Sequence, residues 1–219
     1  MSLALYGHPF SSYTQKVLIA LYENRTPFEF RCIGPDTPEH SAEWARRWPL
    51  RKFPMLLDGE RQLVETSVII EYLQLAHPGP VRLIPEDPMA ALEVRFLDRF
   101  FDLHVMDAMQ IAVEVAIGRL PMIKEEGVAI ARERLERAYA WLDGHLADKT
   151  WAAGEEFTLA DCAAAPSLFY ADWNYRIPER YPAVRAYRQR LLDRPSFARA
   201  VDEARPYRGL FPLGAPDRD

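Results

Sequence analysis

The chain has 219 residues, enough for one large domain or two smaller ones. Hydrophobic residues make up 49% and charged residues 27%, and the formal charge of −5 gives no electrostatic basis for binding nucleic acid or an anionic membrane. No apolar run approaches the roughly 20 residues of a membrane span, and no signal peptide pattern is present. Cys32 and Cys162 are too few for a disulfide framework or a zinc site. We therefore expect reduced thiols, no bound metal and a cytoplasmic protein.

The beginning of the chain predicts a strand that turns sharply into a helix. The apolar run Leu3–Tyr6 is long enough for a buried strand, and helical periodicity begins at Ser12 after a break. Ser11 and Ser12 therefore lie at a helix N-terminus, where free backbone N–H groups and the positive end of the macrodipole favour an anion. Simple helix capping by the two hydroxyls is the alternative explanation.

The spacing of polar residues distinguishes the two serines. Ser12 and Gln15 fit the S-x-x-Q pattern of a capping box, which predicts Ser12 as the N-cap and leaves the Ser11 hydroxyl free to face a ligand. The alternative register has Ser11 as the cap and Thr14 as the third helical residue. The two registers predict opposite roles for the two serines.

The next residues complete a small α/β unit. Period-two alternation predicts a strand over 28–33, and a weak helical pattern covers about 38–47. A hairpin is predicted to turn at Asp58-Gly59 between two short strands. A further helix opens at Glu65-Thr66 and carries its apolar stripe as far as Ala76. The first domain is therefore assigned to residues 1–77.

A proline-rich connection over 78–88 separates this unit from a wholly helical remainder over 89–219. A capped helix is expected to begin at Thr158, with Asp161 as the acidic partner of a capping box. Four further helices are expected from their apolar stripes, over about 89–117, 125–146, 183–193 and 196–204. We therefore predict an α/β domain followed by an all-α domain.

Two short segments of the first domain combine polar groups with exposed backbone. Pro54 precedes an inner strand, where a cis peptide would present the backbone of Phe53 to an incoming chain. A trans proline at a strand edge is the alternative. Glu65 and Thr66 stand at a helix start, where free N–H groups can hold a carboxylate, with plain capping as the alternative.

Together these stretches resemble the cytosolic glutathione transferases, in their serine-dependent form, over nearly the whole chain. LYGHPFSSYTQKVLIAL is similar to the first strand, loop and helix of that superfamily, and KFPMLLDG to its cis-proline segment. ETSVIIEYL is similar to its γ-glutamyl-binding segment, and FTLADC to its capping box. The resemblance implies a thioredoxin-like first domain, an all-helical second domain, glutathione as cosubstrate and a homodimer.

The resemblance also implies roles for individual residues. Ser11 would be the catalytic hydroxyl that faces the glutathione sulfur, while Phe10 and Met106 would line the pocket for a small hydrophobic electrophile. The glutathione-binding residues would be His40, Lys52, Phe53, Pro54, Glu65 and Thr66. The implied activity is conjugation of glutathione to the electrophile, and a non-catalytic binding or scaffold module of the same fold is the alternative.

The sequence departs from two subclasses of the superfamily. Isomerase-type members carry a cysteine in an SSC run, whereas Tyr13 follows Ser12 here. Glutaredoxin-like members have a cysteine at the position of Ser11. These departures disfavour cis–trans isomerisation and thiol–disulfide exchange.

Overall fold

A four-stranded mixed sheet forms the first domain in the computed structural model, which describes residues 3–219. The strands are β1 (Leu3–Gly7), β2 (Phe28–Cys32), β3 (Met55–Asp58) and β4 (Arg61–Leu63). Their order is β2-β1-β3-β4, with β1 and β2 parallel and the other two pairs antiparallel. Strand β1 is buried along its whole length because it has a strand on each side and helices on both faces.

Three helices cover the sheet: α1 (Ser12–Glu23), α2 (Pro38–Arg47) and α3 (Thr66–Ala76). Alternate residues of β1 point to opposite faces. Leu5 therefore packs in the core that includes α1 and α3, while Tyr6 packs with Trp44 of α2. The α/β topology predicted from the sequence is confirmed.

The other α-helices of residues 3–219 all follow residue 87. These helices are α4 (Pro88–Phe100), α5 (Asp107–Ala116), α6 (Lys124–His145), α7 (Leu159–Asn174), α8 (Pro182–Leu192) and α9 (Pro195–Ala204). A 3-10 turn, Arg205–Leu210, follows α9. The predicted all-α domain is confirmed, and none of the helices in residues 3–219 is long and apolar enough to span a membrane.

A π-helical segment, Phe101–Met106, joins α4 to α5, so the single helix predicted over 89–117 is continuous but has one wider stretch. π-helical turns contain more residues than α-helical turns and occur frequently at functional sites. The faces of α4 and α5 therefore do not follow one uninterrupted 3.6-residue period.

Helix α7 is buried along nearly its whole length and begins with the predicted capping box. The backbone N–H of Thr158 donates to the Asp161 carboxylate at 2.8 Å. The same carboxylate accepts from the Ala152 N–H at 2.8 Å and from the Tyr187 hydroxyl at 2.6 Å. The buried charge is thus held by several donors, which is the condition for burying it without a large penalty.

Candidate functional site

Two adjoining clefts lie where residues of both halves of the chain meet. We call them the polar cleft, of about 600 Å³, and the apolar cleft, of about 620 Å³. Tyr13, Lys52, Phe53 and Gln110 line both clefts, so the two spaces share a wall. A ligand that spans this wall would contact the α/β domain on one side and α5 on the other.

The N-terminus of α1 follows the alternative register rather than the predicted one. Ser11 is the N-cap, and its Oγ accepts a hydrogen bond from the backbone N–H of Thr14 at 3.3 Å. Ser12 is the first helical residue, so the predicted cap at Ser12 is wrong. The side-chain amide of Gln15 donates to the Pro9 carbonyl and to the Tyr170 hydroxyl, at 3.0 and 3.1 Å. This contact between domains, absent from any local pattern, removes Gln15 from the capping box.

Capping leaves the Ser11 hydroxyl able to act on a ligand. A serine hydroxyl has one proton to donate and two lone pairs to accept with. The bond from Thr14 occupies one lone pair, and the proton stays available. Ser11 and Ser12 both line the apolar cleft, which shares a wall with the polar cleft.

The segment before β3 contains a cis peptide bond between Phe53 and Pro54, which is the first of the two alternatives raised by the sequence. Neither the N–H nor the C=O of Phe53 is hydrogen-bonded to another group within residues 3–219. Phe53 lines both clefts, so its unpaired backbone groups belong to a residue that a ligand in either cleft would contact.

Glu65 and Thr66 lie in the polar cleft at the start of α3. Glu65 has a φ of +67°, a left-handed conformation that is uncommon for a residue with a side chain. Such conformations cost of order 1–3 kcal/mol and cluster at ligand-binding positions. The Glu65 side chain is exposed and makes no hydrogen bond within the described residues, which leaves its carboxylate free for a ligand.

A buried ion cluster lies beneath the polar cleft. The ammonium of Lys16 is 2.6 Å from the Asp98 carboxylate and 2.8 Å from that of Asp102. Ser67 donates to Asp98 at 2.6 Å, and Arg99 pairs with Asp102. Burial raises the pKa of the Asp102 carboxyl, and the nearby positive charge of Lys16 opposes that rise. Arg99 and Asp102 also line the cleft, so the cluster connects its floor to α1.

Sequence analysis missed this cluster. Lys16 lies off the apolar stripe of its helix, a position typical of exposed side chains, yet only 1% of it is accessible. Asp98 and Asp102 are separated by four residues and therefore share one helix face. That spacing was the available signal for a carboxylate pair, and nothing local indicated its partner.

Charges of both signs surround the polar cleft. Its lining cations are Lys52, Arg99 and Arg134, and its lining acids are Glu65, Asp102, Asp107 and Glu114. A cleft with this mixture suits a ligand that carries both ammonium and carboxylate groups. Five of the predicted glutathione-binding residues lie together here: Lys52, Phe53, Pro54, Glu65 and Thr66.

Tyr13 supplies another hydroxyl that sequence analysis did not assign to the site. Its OH donates to Asp107 at 3.4 Å. Burial, reinforced by the negative charges of Asp102 and Asp107, raises the pKa of this phenol well above its usual value. Tyr13 therefore keeps its proton near neutral pH and contributes a neutral side chain to the shared wall.

Aromatic and aliphatic side chains make up most of the apolar cleft. Phe10, which was predicted for the electrophile pocket, lines this cleft with its ring centroid 5.4 Å from that of Tyr170. Met109 and Val113 contribute from α5, and Phe211 contributes from the segment after the 3-10 turn. Cleft residues from α7 and the C-terminal segment were not identified from the sequence, because neither region carries a local motif for ligand binding.

Two predicted site residues lie elsewhere. Met106 is 1% exposed, packs in the helical core and lines neither cleft. It belongs to the π-helical segment, where α-helical spacing assigns residues to the wrong face. His40 also lines neither cleft, and its Nδ1 lies 3.2 Å from the Cys32 carbonyl oxygen. Within residues 3–219, no group of three or more His, Cys, Asp or Glu side chains is placed to hold a metal ion.

Comparison with known proteins assigns both halves of the chain to one family. Residues 5–81 match the family model described as glutathione S-transferase, N-terminal domain, and residues 112–190 match that of its C-terminal domain. A crystal structure of a glutathione S-transferase from Methylobacillus flagellatus with glutathione bound has a TM-score of 0.78. It is 28% identical and covers 91% of this chain and 98% of its own.

Two curated relatives align over nearly their full lengths. A probable maleylacetoacetate isomerase of Vibrio cholerae is 30% identical over 94% of this chain and 98% of the relative. A stringent starvation protein A homolog of Coxiella burnetii is 27% identical over 92% of each. The two domain matches, the isomerase relative and the shared fold lead to one conclusion: the chain belongs to the glutathione S-transferase family.

Proposed function

We propose that the protein is a glutathione transferase in which the Ser11 hydroxyl stabilises the thiolate of bound glutathione for attack on a small hydrophobic electrophile. The observation that carries the proposal is the position of Ser11. It caps α1 with its proton still available, and it lines the apolar cleft, which shares a wall with the polar cleft. The relative from Methylobacillus flagellatus, solved with glutathione bound, supports this ligand.

In the proposed complex, each polar group of glutathione is matched to a residue of the polar cleft. Glu65 accepts from the γ-glutamyl ammonium, and Thr66 at the start of α3 donates to the γ-glutamyl carboxylate. The free backbone groups of Phe53 pair with the cysteinyl residue, which directs the sulfur toward Ser11. Lys52 neutralises the glycine carboxylate.

The free energy of one hydrogen bond is large enough for Ser11 to stabilise a thiolate. A free thiol has a pKa of about 8.5, so only a few per cent is thiolate near neutral pH. A hydrogen bond to a charged acceptor contributes roughly 1.5–3 kcal/mol. Since one pKa unit corresponds to about 1.36 kcal/mol, a bond from Ser11 lowers the thiol pKa by about one to two, aided by the helix N-terminus.

The nucleophile in this proposal belongs to the cosubstrate. The glutathione thiol loses its proton to solvent, and the thiolate then attacks an electrophilic carbon of a molecule in the apolar cleft. Ser11 donates a hydrogen bond to the sulfur and forms no covalent bond. Phe10 and Tyr170 supply aromatic surface for the electrophile.

Two alternatives to conjugation, isomerisation and binding without catalysis, can be distinguished by experiment. Similarity to a probable maleylacetoacetate isomerase favours glutathione-dependent isomerisation, while Tyr13 stands where the isomerase motif has cysteine. A binding module without chemistry is the other possibility.

To test the proposal, the protein is captured on immobilised glutathione, eluted, and incubated with glutathione and a generic aryl halide. Conjugate formation by the wild type and its loss in Ser11→Ala support the proposal, and retention without conjugation in several electrophile classes contradicts it.

The proposed enzyme is also a cytoplasmic homodimer. Both cysteines are free thiols, which suits a reducing compartment. Large apolar side chains are exposed on neighbouring helices, at Val68 and Leu75 of α3, Met89, Leu92 and Phe96 of α4, Leu103 of the π-helical segment and Trp141 of α6. We call this set the apolar face. Two of its members, Phe96 and Trp141, lie side by side with ring centroids 5.9 Å apart, and the exposed apolar side chains support contact with a second copy.

A further inference from the structure

The apolar cleft carries positive charge and no negative charge. Arg51 and Lys52 line it from the segment before β3, and Arg119 lines it from the turn after α5. None of the lining residues in the described part of the chain is an aspartate or glutamate. The chain as a whole has 32 acidic and 27 basic residues, so this one-sided lining is not a consequence of composition.

The two arginines are placed by turns of the backbone. Arg51 has a φ of +51°, and its N–H donates to the Trp48 carbonyl at 2.9 Å. Arg119 follows Gly118, whose φ of +74° ends the helix, and its N–H donates to the Glu114 carbonyl at 2.8 Å. Both arginines reach the cleft from outside regular secondary structure.

Their charges have no partner in the protein. Neither guanidinium makes a hydrogen bond or an ion pair within residues 3–219, and both residues are exposed. Some surface arginines are paired, as Arg95 is with Glu71 at 2.8 Å, whereas Arg46 and Arg134 also lack a partner within residues 3–219. In the proposed enzyme, Lys52 forms an ion pair with the glycine carboxylate of glutathione. Two unpaired cations therefore remain for the second substrate.

We infer that the electrophile of this enzyme is an aromatic or apolar molecule that carries a carboxylate. The carboxylate pairs with Arg51 or Arg119, since a guanidinium matches the planar geometry of that group. The apolar body packs on Phe10 and Tyr170, and the reactive carbon faces the sulfur near Ser11. This inference rests on the proposed function and specifies its substrate class.

A matched pair of electrophiles tests the inference: 4-chloro-3,5-dinitrobenzoate and the corresponding neutral benzamide. In both reactions the carbon–sulfur bond forms, the carbon–chlorine bond breaks, chloride leaves with the electron pair, and the thiol proton goes to solvent. Each kcat/KM is divided by the rate constant of the uncatalysed reaction with glutathione. This ratio removes the different intrinsic reactivities of the two electrophiles.

The variants are Arg51→Gln and Arg119→Gln, with Arg46→Gln as the control. Arg46 is exposed on α2, lines neither cleft and carries the same charge. We expect the wild type to prefer the benzoate about tenfold, and each cleft variant to lower that preference by roughly threefold to fivefold, as exposed ion pairs of up to ~1 kcal/mol imply. Arg46→Gln keeps the preference, and added salt reduces it in the wild type.

The outcomes separate this inference from the proposed function. Equal or reversed preference in the wild type, with the benzamide still conjugated, overturns the substrate class and leaves the transferase intact. An unchanged preference in both cleft variants overturns it as well. Failure to bind glutathione in calorimetry overturns both. If glutathione binds but neither compound is turned over, the glutathione conjugates of the benzoate and of the benzamide are prepared chemically and titrated into the protein. Equal affinity for the two conjugates contradicts the inferred preference for a carboxylate.

Discussion

The Oγ of Ser11 accepts a hydrogen bond from the backbone N–H of Thr14 at 3.3 Å, so the hydroxyl that we propose as donor to the glutathione sulfur also caps α1. In the proposed enzyme, stability and catalysis are therefore coupled at this residue. The coupling reverses what the S-x-x-Q spacing of Ser12 predicts, and it changes how variants of the two serines are expected to behave.

Ser11→Ala should lower both the melting temperature and the activity. Loss of the cap costs about 1 kcal/mol of unfolding free energy. Loss of the donor raises the pKa of bound glutathione by about one to two, so the pH–rate profile shifts upward by the same amount. Ser12→Ala, measured in parallel, should change both quantities little. Thermal unfolding and kcat/KM against pH are the two measurements.

Ser11→Asp separates the two roles of this residue. Aspartate caps a helix about as well as serine, so the melting temperature should stay near that of the wild type. Its negative charge repels the thiolate, and the pH–rate profile should shift upward at least as far as in Ser11→Ala. Full activity of Ser11→Asp near neutral pH would refute a thiolate role for Ser11.

Glu65→Ala should weaken glutathione binding by about 2–3 kcal/mol, because the γ-glutamyl ammonium loses its carboxylate partner. The effect should be a raised KM with little change in kcat, since that group is bound alike in the ground and transition states. Glu65→Gly is the matched variant. It should lose the same affinity while gaining up to ~1 kcal/mol of stability, because glycine adopts a positive φ without strain.

Lys16→Met should reduce the unfolding free energy by about 3–5 kcal/mol, because two buried carboxylates lose their cation. Arg95→Met, which breaks an exposed pair with Glu71, should cost at most ~1 kcal/mol. Equal losses in urea unfolding of the two variants at neutral pH would contradict the structural importance of the Lys16 cluster.

The loss in Lys16→Met should depend on pH. A carboxyl whose folded pKa is raised contributes stability that is present below its unfolded value and lost as pH rises through the folded value. Burial raises the pKa of Asp102, and removal of Lys16 raises it further. The deficit relative to wild type should therefore be smallest in mildly acidic buffer and should grow toward neutral pH.

Phe96→Glu should convert the expected homodimer to a monomer. Phe96 is 52% exposed in the apolar face, with its ring centroid 5.9 Å from that of Trp141. A charge there would be desolvated by a second copy without a partner. Light scattering at micromolar concentration measures the mass, with Ile123→Glu as a control outside this face. A monomeric wild type would rule out the dimer.

Local sequence patterns were sufficient to predict most helices and strands of this fold. The hairpin at Asp58-Gly59, the capping box of Thr158 and Asp161, and the apolar stripes of the helices all depend on residues close in the chain. The segments of the polar cleft were also predictable, because Phe53, Pro54, Glu65 and Thr66 lie in recognisable motifs.

What escaped prediction depends on contacts between distant residues. Gln15 donates a hydrogen bond to Tyr170 and therefore does not complete the capping box. Lys16 pairs in the interior with carboxylates that lie more than 80 positions away in the chain. Arg119 reaches the apolar cleft through a turn whose position follows from the end of α5. The periodicity of residues within α1 or α5 does not predict any of these positions.

The π-helical segment Phe101–Met106 divides one long helix into α4 and α5, and residues on both sides of it reach the clefts. Residues before and within it, such as Arg99 and Asp102, connect the polar cleft to the buried charges. Residues after it, such as Met109 and Val113, form a wall of the apolar cleft. Within α5, Met109 and Val113 line only the apolar cleft, whereas Asp107 and Glu114 line only the polar cleft, so substitutions at Met109 or Val113 would reshape the proposed electrophile pocket and leave the lining of the polar cleft unchanged. Substrate range can thus diversify without loss of the common cosubstrate.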